Sequence, residues 1–185
     1  EINAFAPRGV VLSGGPASVH DQDTPTIPAE IFGGGCPVLG ICYGMQLISM
    51  AFGGTVTKVS GREYGETTIQ VTKSCSINPD NWHINSQQSV WMSHGDSLVH
   101  MPQDFFSFAN STIHNHVGIA NENNKIFGLQ FHPEMFHTQD GTAIIQKFLT
   151  NVCLCKPTWS MERYKDDTIN SLRKTIQKQI IKKLF

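Results

Sequence analysis

Short apolar runs broken by glycine and proline set the pattern of this chain. Val10-Val11-Leu12 leads into Ser13-Gly14-Gly15-Pro16, and Pro37-Val38-Leu39 leads into Gly40-Ile41-Cys42-Tyr43-Gly44. Runs of that length, bounded by turn residues, predict buried strands. Segments 10–12, 37–41, 67–72, 89–92, 116–120 and 126–131 fit the description. Apolar residues at helical spacing predict helices over 26–32, 44–52 and 141–152. Strands alternate with helices early and follow one another later. That order predicts an α/β fold, a doubly wound, mostly parallel sheet with an antiparallel extension. The end of the chain differs. Ile169, Leu172, Ile176 and Ile180 recur at helical spacing, with Arg173, Lys174, Lys178, Lys182 and Lys183 between them. This predicts a basic amphipathic helix packing its apolar face on its own or a neighbouring domain. The expected organisation is a domain over 1–160 and a helix or linker over 161–185.

Composition narrows the class. A chain of 185 residues suits one domain with a sizeable core, and a formal net charge of −1 gives no electrostatic case for nucleic acid or a membrane surface. No apolar run approaches a membrane span, and the start lacks a basic leader region. The 5 cysteines are odd in number and show no disulfide spacing, which points to a reducing cytoplasm. His114-x-His116 offers two metal-type ligands without an obvious third, and Cys153-x-Cys155 lacks zinc-pair spacing, so no metal is expected.

The chemistry starts at Cys42. Strand, sharp turn and helix follow one another there, with Gly40 and Gly44 two residues either side of the thiol. The turn sets Cys42 at a helix N-terminus, whose positive end favours thiolate. Further on, the strand-like run 126–131 ends at His132-Pro133-Glu134. A cysteine nucleophile needs a histidine to take and return its proton, and that histidine needs a partner to orient it. Glu134 stands where it can turn back on His132. The glycine-rich loop after Leu12 offers backbone N–H groups for an oxyanion, paired with the N–H of Tyr43. Each element alone has a plainer reading: a buried cysteine, a solvated turn, a strand-ending turn. Together they supply nucleophile, base and orienting acid in an order suited to acyl transfer.

These elements resemble the class I (triad) glutamine amidotransferases, and more narrowly the glutaminase domain of the GMP synthases. The narrower likeness rests on Leu12-Ser13-Gly14-Gly15-Pro16-Ala17-Ser18-Val19, Gly61-Arg62-Glu63-Tyr64-Gly65, Val90-Trp91-Met92-Ser93-His94-Gly95-Asp96, and His132-Pro133-Glu134 followed by His137-Thr138. Cys153-x-Cys155 with Trp159-Ser160-Met161-Glu162 is similar to the end of that domain. The resemblance implies a flavodoxin-like sheet, Cys42 as nucleophile, His132 as base and Glu134 as orienting acid. It implies Gly15 and Tyr43 as the oxyanion-hole amides. Gln46, Ser93, His94, Gly95 and Asp96 would hold L-glutamine, with Asp96 facing the substrate ammonium; Ser93 to Asp96 alone reads as a turn. It implies no cofactor in this domain. ATP and magnesium would belong to a synthetase domain, normally in the same chain, which uses the ammonia to convert XMP to GMP, and the complete protein would be a cytoplasmic homodimer.

The sequence departs from the family in three places. The family's opening strand, loop and helix are not found, so a fragment lacking the N-terminal strand is expected, with weak or no activity alone. No Ser-Gly-Gly-Val-Asp-Ser-Ser-like ATP loop follows. Met135-Phe136 stands where a small β-branched residue is usual. Other readings are the glutaminase unit of an anthranilate synthase type enzyme, a cysteine hydrolase or peptidase of the same fold, and a non-catalytic remnant serving as an interaction module.

Overall fold

The computed structural model describes residues 2–158 and 160–184. Two compact units divide the chain at Cys155/Lys156. The first runs in the order α1 (Ile2–Phe5), β1 (Val10–Leu12), α2 (Glu30–Gly33), β2 (Val38–Ile41), α3 (Tyr43–Ala51), β3 (Thr55–Val71), β4 (Gln87–His100), β5 (Phe106–Ser111), β6 (Gly118–Asn121), β7 (Ile126–Leu129) and α4 (Gly141–Lys147), with a π turn at Phe148–Val152. The second holds α5 (Met161–Leu184), on which Ile169, Leu172 and Ile176 are exposed. The side chains of Lys178, Ile180, Lys182 and Lys183, and Trp159 as a whole, lie outside the described residues. No helix is long and apolar enough to cross a membrane among the described residues.

One 7-stranded sheet has the order β1-β2-β7-β6-β5-β3-β4. The expected parallel sheet with its antiparallel extension is present, and the extension is the larger part. β2 lies parallel to both β1 and β7, while the pairings from β7 outward to β4 are antiparallel. β2 and β7 are buried along their whole length because helices cover both faces of the parallel part. On one face Val38 and Ile126 pack with Ile48 of α3 and Ile31 of α2. On the other, Leu39, Phe127 and Leu129 pack with Ile144 of α4 and Phe148.

The strand pair β3–β4 is far longer than the segments 67–72 and 89–92 predicted for it. Its middle carries Gly61, Glu63 and Gly65, outside any predicted strand, and Ser93-His94-Gly95-Asp96, which alone reads as a turn. The burial of β4 nevertheless alternates residue by residue from Gln87 to Asp96, with Gln88, Val90, Met92, His94 and Asp96 facing inward. The period of a strand is intact there, with polar residues on its inner face. β5 has no counterpart among the predicted strands, and helix 26–32 contracts to the four residues of α2.

Candidate active site

The strand order places the carboxyl ends of β1, β2 and β7 side by side, where open α/β sheets gather their sites. Cys42 follows β2 directly, and its N–H donates to Leu129 O of β7 at 2.7 Å. Its backbone sits at φ 51°, ψ −105°, so the strain of the turn falls on the cysteine itself. Such a conformation costs on the order of 1–3 kcal/mol and persists only where its surroundings over-determine it. The flanking glycines have a different role from the conformational freedom their spacing suggested. A Cβ on Gly44 would lie 2.1 Å from Leu12 O, and one on Gly40 would lie 2.6 Å from Gly44 O and from Ile48 Cδ1. They let α3 press onto β1 and β2, which leaves Cys42 no other course.

His132 stands in the turn after β7. Its N–H donates to Trp91 O of β4 at 2.9 Å, and Thr138 Oγ1 donates to its carbonyl at 2.6 Å while accepting from Trp91 N–H at 2.9 Å. The ring is tied at Nδ1 to Glu134 Oε1, 2.7 Å away. Its Nε2 is buried and has no hydrogen-bond partner among the described residues. Gly14 lies between the imidazole and the thiol: a Cβ there would stand 2.9 Å from His132 Cε1 and 3.5 Å from Cys42 Cβ. Cys42 and His132 therefore both lie against Gly14, with Glu134 bonded to the same imidazole.

The thiol rests in its neutral form. Burial pushes Cys42 up to about 11, with the Glu134 carboxylate adding to the rise, and the Tyr43 N–H and the Gln130 amide only partly offset it. The thiolate expected from the helix N-terminus is outweighed by desolvation. The Cys42 S–H donates to Ser93 O at 3.5 Å, and Gln130 Nε2 reaches Sγ at 3.7 Å.

A cleft of about 440 Å³ opens in front of Cys42, within the size range of small-molecule sites. Gly15, Tyr43, Gln46, Ser93, His94, Gly95 and Asp96, all singled out in the sequence, line it together with Cys42. Asp96 Oδ2 accepts from Ser18 Oγ at 2.5 Å, and Gln46 Nε2 donates to Asp96 O at 3.0 Å. His94 lines the wall, but its ring is engaged behind it by Glu63. His132 and Glu134 do not line this cleft.

Sequence reasoning passed over Gly14, Ser18, Gln130 and Thr138. Gln130 was within reach of it: a polar residue at the end of an apolar strand, two positions before His132, has few reasons to be buried except a local partner. Its Oε1 accepts from Gln46 Nε2 at 3.4 Å.

Glu63, His94 and His114 offer ligand atoms within 4.8 Å of one another, while His116, paired with His114 in the sequence, is not among them. Burial pushes the Glu63 carboxyl up, but hydrogen bonds from His94 and Ser111 and the nearby imidazoles outweigh it and hold the group below its ordinary value.

The glutamine amidotransferase class I family profile matches residues 1–152. The chain belongs to that family. It is 39% identical over 175 residues to GMP synthase [glutamine-hydrolyzing] of Brachyspira hyodysenteriae, covering 95% of this chain and 34% of that protein. The corresponding protein of Staphylococcus epidermidis is 40% identical over 176 residues, again covering 95% of this chain and 34% of that protein. The chain thus spans about a third of the length of these relatives. Among solved structures, a candidate component of GMP synthase from Thermoplasma acidophilum aligns with a TM-score of 0.65 at 32% identity, over 80% of this chain and 73% of that one. A glutamine amido transferase from Methylobacillus flagellatus, at 20% identity and a TM-score of 0.60 over 83% of this chain and 64% of that one, shares the fold.

Proposed function

We propose that this chain hydrolyses L-glutamine to L-glutamate and ammonia, with Cys42 as nucleophile, His132 as base and Glu134 as its orienting acid. The observation that carries the reading is the His132 imidazole, tied at Nδ1 to Glu134 and unpartnered at Nε2, across Gly14 from a cysteine in a strained strand-to-helix turn. Because the resting thiol is neutral, attack and proton transfer go together. Cys42 Sγ bonds to the side-chain amide carbon as its proton passes to His132 Nε2. The oxyanion that forms faces the N–H groups of Gly15 and Tyr43. His132 then gives the proton to the departing ammonia, leaving a thioester. Water attacks the thioester with His132 again taking the proton, and glutamate leaves as the thiol is restored. Asp96 meets the substrate ammonium, while Gln46, Ser93, His94 and Gly95 shape the rest of the amino-acid site. A zwitterion needs both an anion and backbone donors, and this wall of the cleft carries them.

The names of the relatives support a destination for the ammonia, the making of GMP. The family resemblance extends the proposal to amination of XMP on a synthetase domain that uses ATP and magnesium, in a cytoplasmic homodimer. In that reading the chain alone turns over slowly. Glutamate release by the chain, with and without an added GMP synthase synthetase domain, XMP and ATP, tests both parts. Release that rises on addition, with GMP formed, supports the reading. Release without GMP in any mixture removes the purine assignment and leaves the glutaminase. No release and no glutamine binding under any condition removes both.

A further inference from the structure

Behind the cleft wall the β3–β4 ladder is broken. Lys58 pairs with Asp96 and Glu63 pairs with His94, so residues 59–62 of β3 stand opposite Gly95 alone. The backbone that carries Asp96 thus runs beside an interruption in its own sheet. Side chains take over the holding. Asp96 O accepts from His94 Nδ1 at 3.1 Å and from Gln46 Nε2 at 3.0 Å. A carbonyl only accepts, so Nδ1 carries a proton. The opposite nitrogen of the same ring faces Glu63 Oε2 at 3.2 Å, and both side chains are almost wholly buried. Ser97 Oγ spans His94 Nδ1 and His114 Nε2, each at 3.3 Å, and His114 Nε2 reaches Gly61 O at 2.8 Å, within the interruption.

Resting on the glutamine reading above, we infer that Glu63 and His94 are positioning residues that fix the Asp96 peptide, and through it the carboxylate offered to the substrate ammonium. Glu63 fixes the ring, the ring fixes the Asp96 carbonyl, and the Ser18 hydroxyl fixes the carboxylate from the other side. A divalent metal among Glu63, His94 and His114 is the competing use of these groups. The bonds already made disfavour it: His114 Nε2 donates to Gly61 O, and a metal there would have to displace that proton and its acceptor.

The test uses a glutamine analogue carrying a chloromethyl ketone in place of the amide, which alkylates Cys42 with loss of chloride, with a saturable KI and a limiting rate kinact. His94→Gln keeps a partner for Glu63 and loses the donor to Asp96 O. His94→Asn keeps a donor near that carbonyl and leaves Glu63 unpaired. The positioning role predicts that His94→Gln raises KI about tenfold, the value of one hydrogen bond, with kinact within about twofold, and that His94→Asn raises KI less. Thermal stability should follow the opposite order, because an unpaired buried carboxylate is the costlier defect. KI and stability falling in the same order would overturn the inference, as would equal KI values or a loss confined to kinact. If either His94 variant does not fold, Glu63→Gln decides. It keeps the shape and weakens a charge-assisted hold on the ring, so KI should rise about fivefold with kinact within about twofold, and an unchanged KI overturns the relay. A tightly bound divalent ion whose removal raises KI also overturns it. If the parent itself shows no saturation with the analogue, the glutamine reading fails rather than the positioning role.

Discussion

Gly14→Ala puts one methyl group between the proposed base and the proposed nucleophile. The new Cβ would stand 2.9 Å from His132 Cε1, roughly half an ångström inside ordinary carbon–carbon contact, and 3.5 Å from Cys42 Cβ, where it fits. The strain therefore falls on His132. That ring cannot swing away freely, since Nδ1 is held by Glu134, the amide by Trp91 O and the carbonyl by Thr138. It must shift by several tenths of an ångström, away from Gly14. A misplacement of about one ångström costs on the order of a hundredfold in rate, so a loss of about ten- to a hundredfold is expected, or about 1.4–2.7 kcal/mol of activation energy. The fold should hold, because an alanine at a loop position with tolerable backbone geometry changes stability by about 1 kcal/mol or less. Glutamate release under saturating glutamine, beside thermal melts, measures both. Gly33→Ala in α2, where a Cβ would meet nothing within 4 Å, is the control. A Gly14→Ala protein that releases glutamate at the parent rate would refute the placing of His132 against Cys42.

Glu134→Gln keeps a hydrogen-bonding shape beside His132 and removes the charge that steadies its protonated form. Because the Glu134 side chain is 46% exposed, water replaces part of that charge, and a fall in kcat of about ten- to a hundredfold is expected, smaller than for Cys42→Ala; an unchanged kcat would make Glu134 a turn residue. Stability should also decline at high pH. Cys42 and Cys153 are pushed to about 11 and Cys75 to about 12 by burial, from an ordinary 9.0. Below pH 9 these thiols are protonated in both folded and unfolded chains, so their contribution is intact; it is lost as pH rises from 9 through the folded values. Cys42 alone accounts for about 2–3 kcal/mol of that loss, and Cys42→Ala should flatten the fall in melting temperature between pH 9 and 11. An identical pH profile in the two proteins would contradict the burial of the thiol.

The parallel half of the sheet was legible because its strands are short, uniformly apolar and closed by glycine: β1, β2 and β7 stand close to the expected runs, and α3 follows β2 as predicted. The β3–β4 pair was not, because its inner face carries Gln88, His94 and Asp96, and a period of two in buried polarity looks like a loop when only hydrophobicity is read. The residues proposed for chemistry share that division. Cys42, His132 and Glu134 sit in strand-end motifs whose spacing announces them, whereas Gln130 and Ser18 declare themselves only through partners 88 and 78 residues away. The reason for Gly40 and Gly44 was also hidden in sequence, since it lies in the approach of α3 to β1 and β2 and not in their own torsion angles.

The most direct measurement is an acid quench of the chain during turnover of isotopically labelled glutamine, followed by mass spectrometry of its peptides. The thioester mechanism predicts a labelled glutamyl adduct on the peptide bearing Cys42, absent in Cys42→Ala and accumulating in a variant slowed at His132 only if the second step is slowed more than the first. Label found on Cys36 or Cys75 instead, or glutamate released by Cys42→Ala at the parent rate, would contradict the account at its centre.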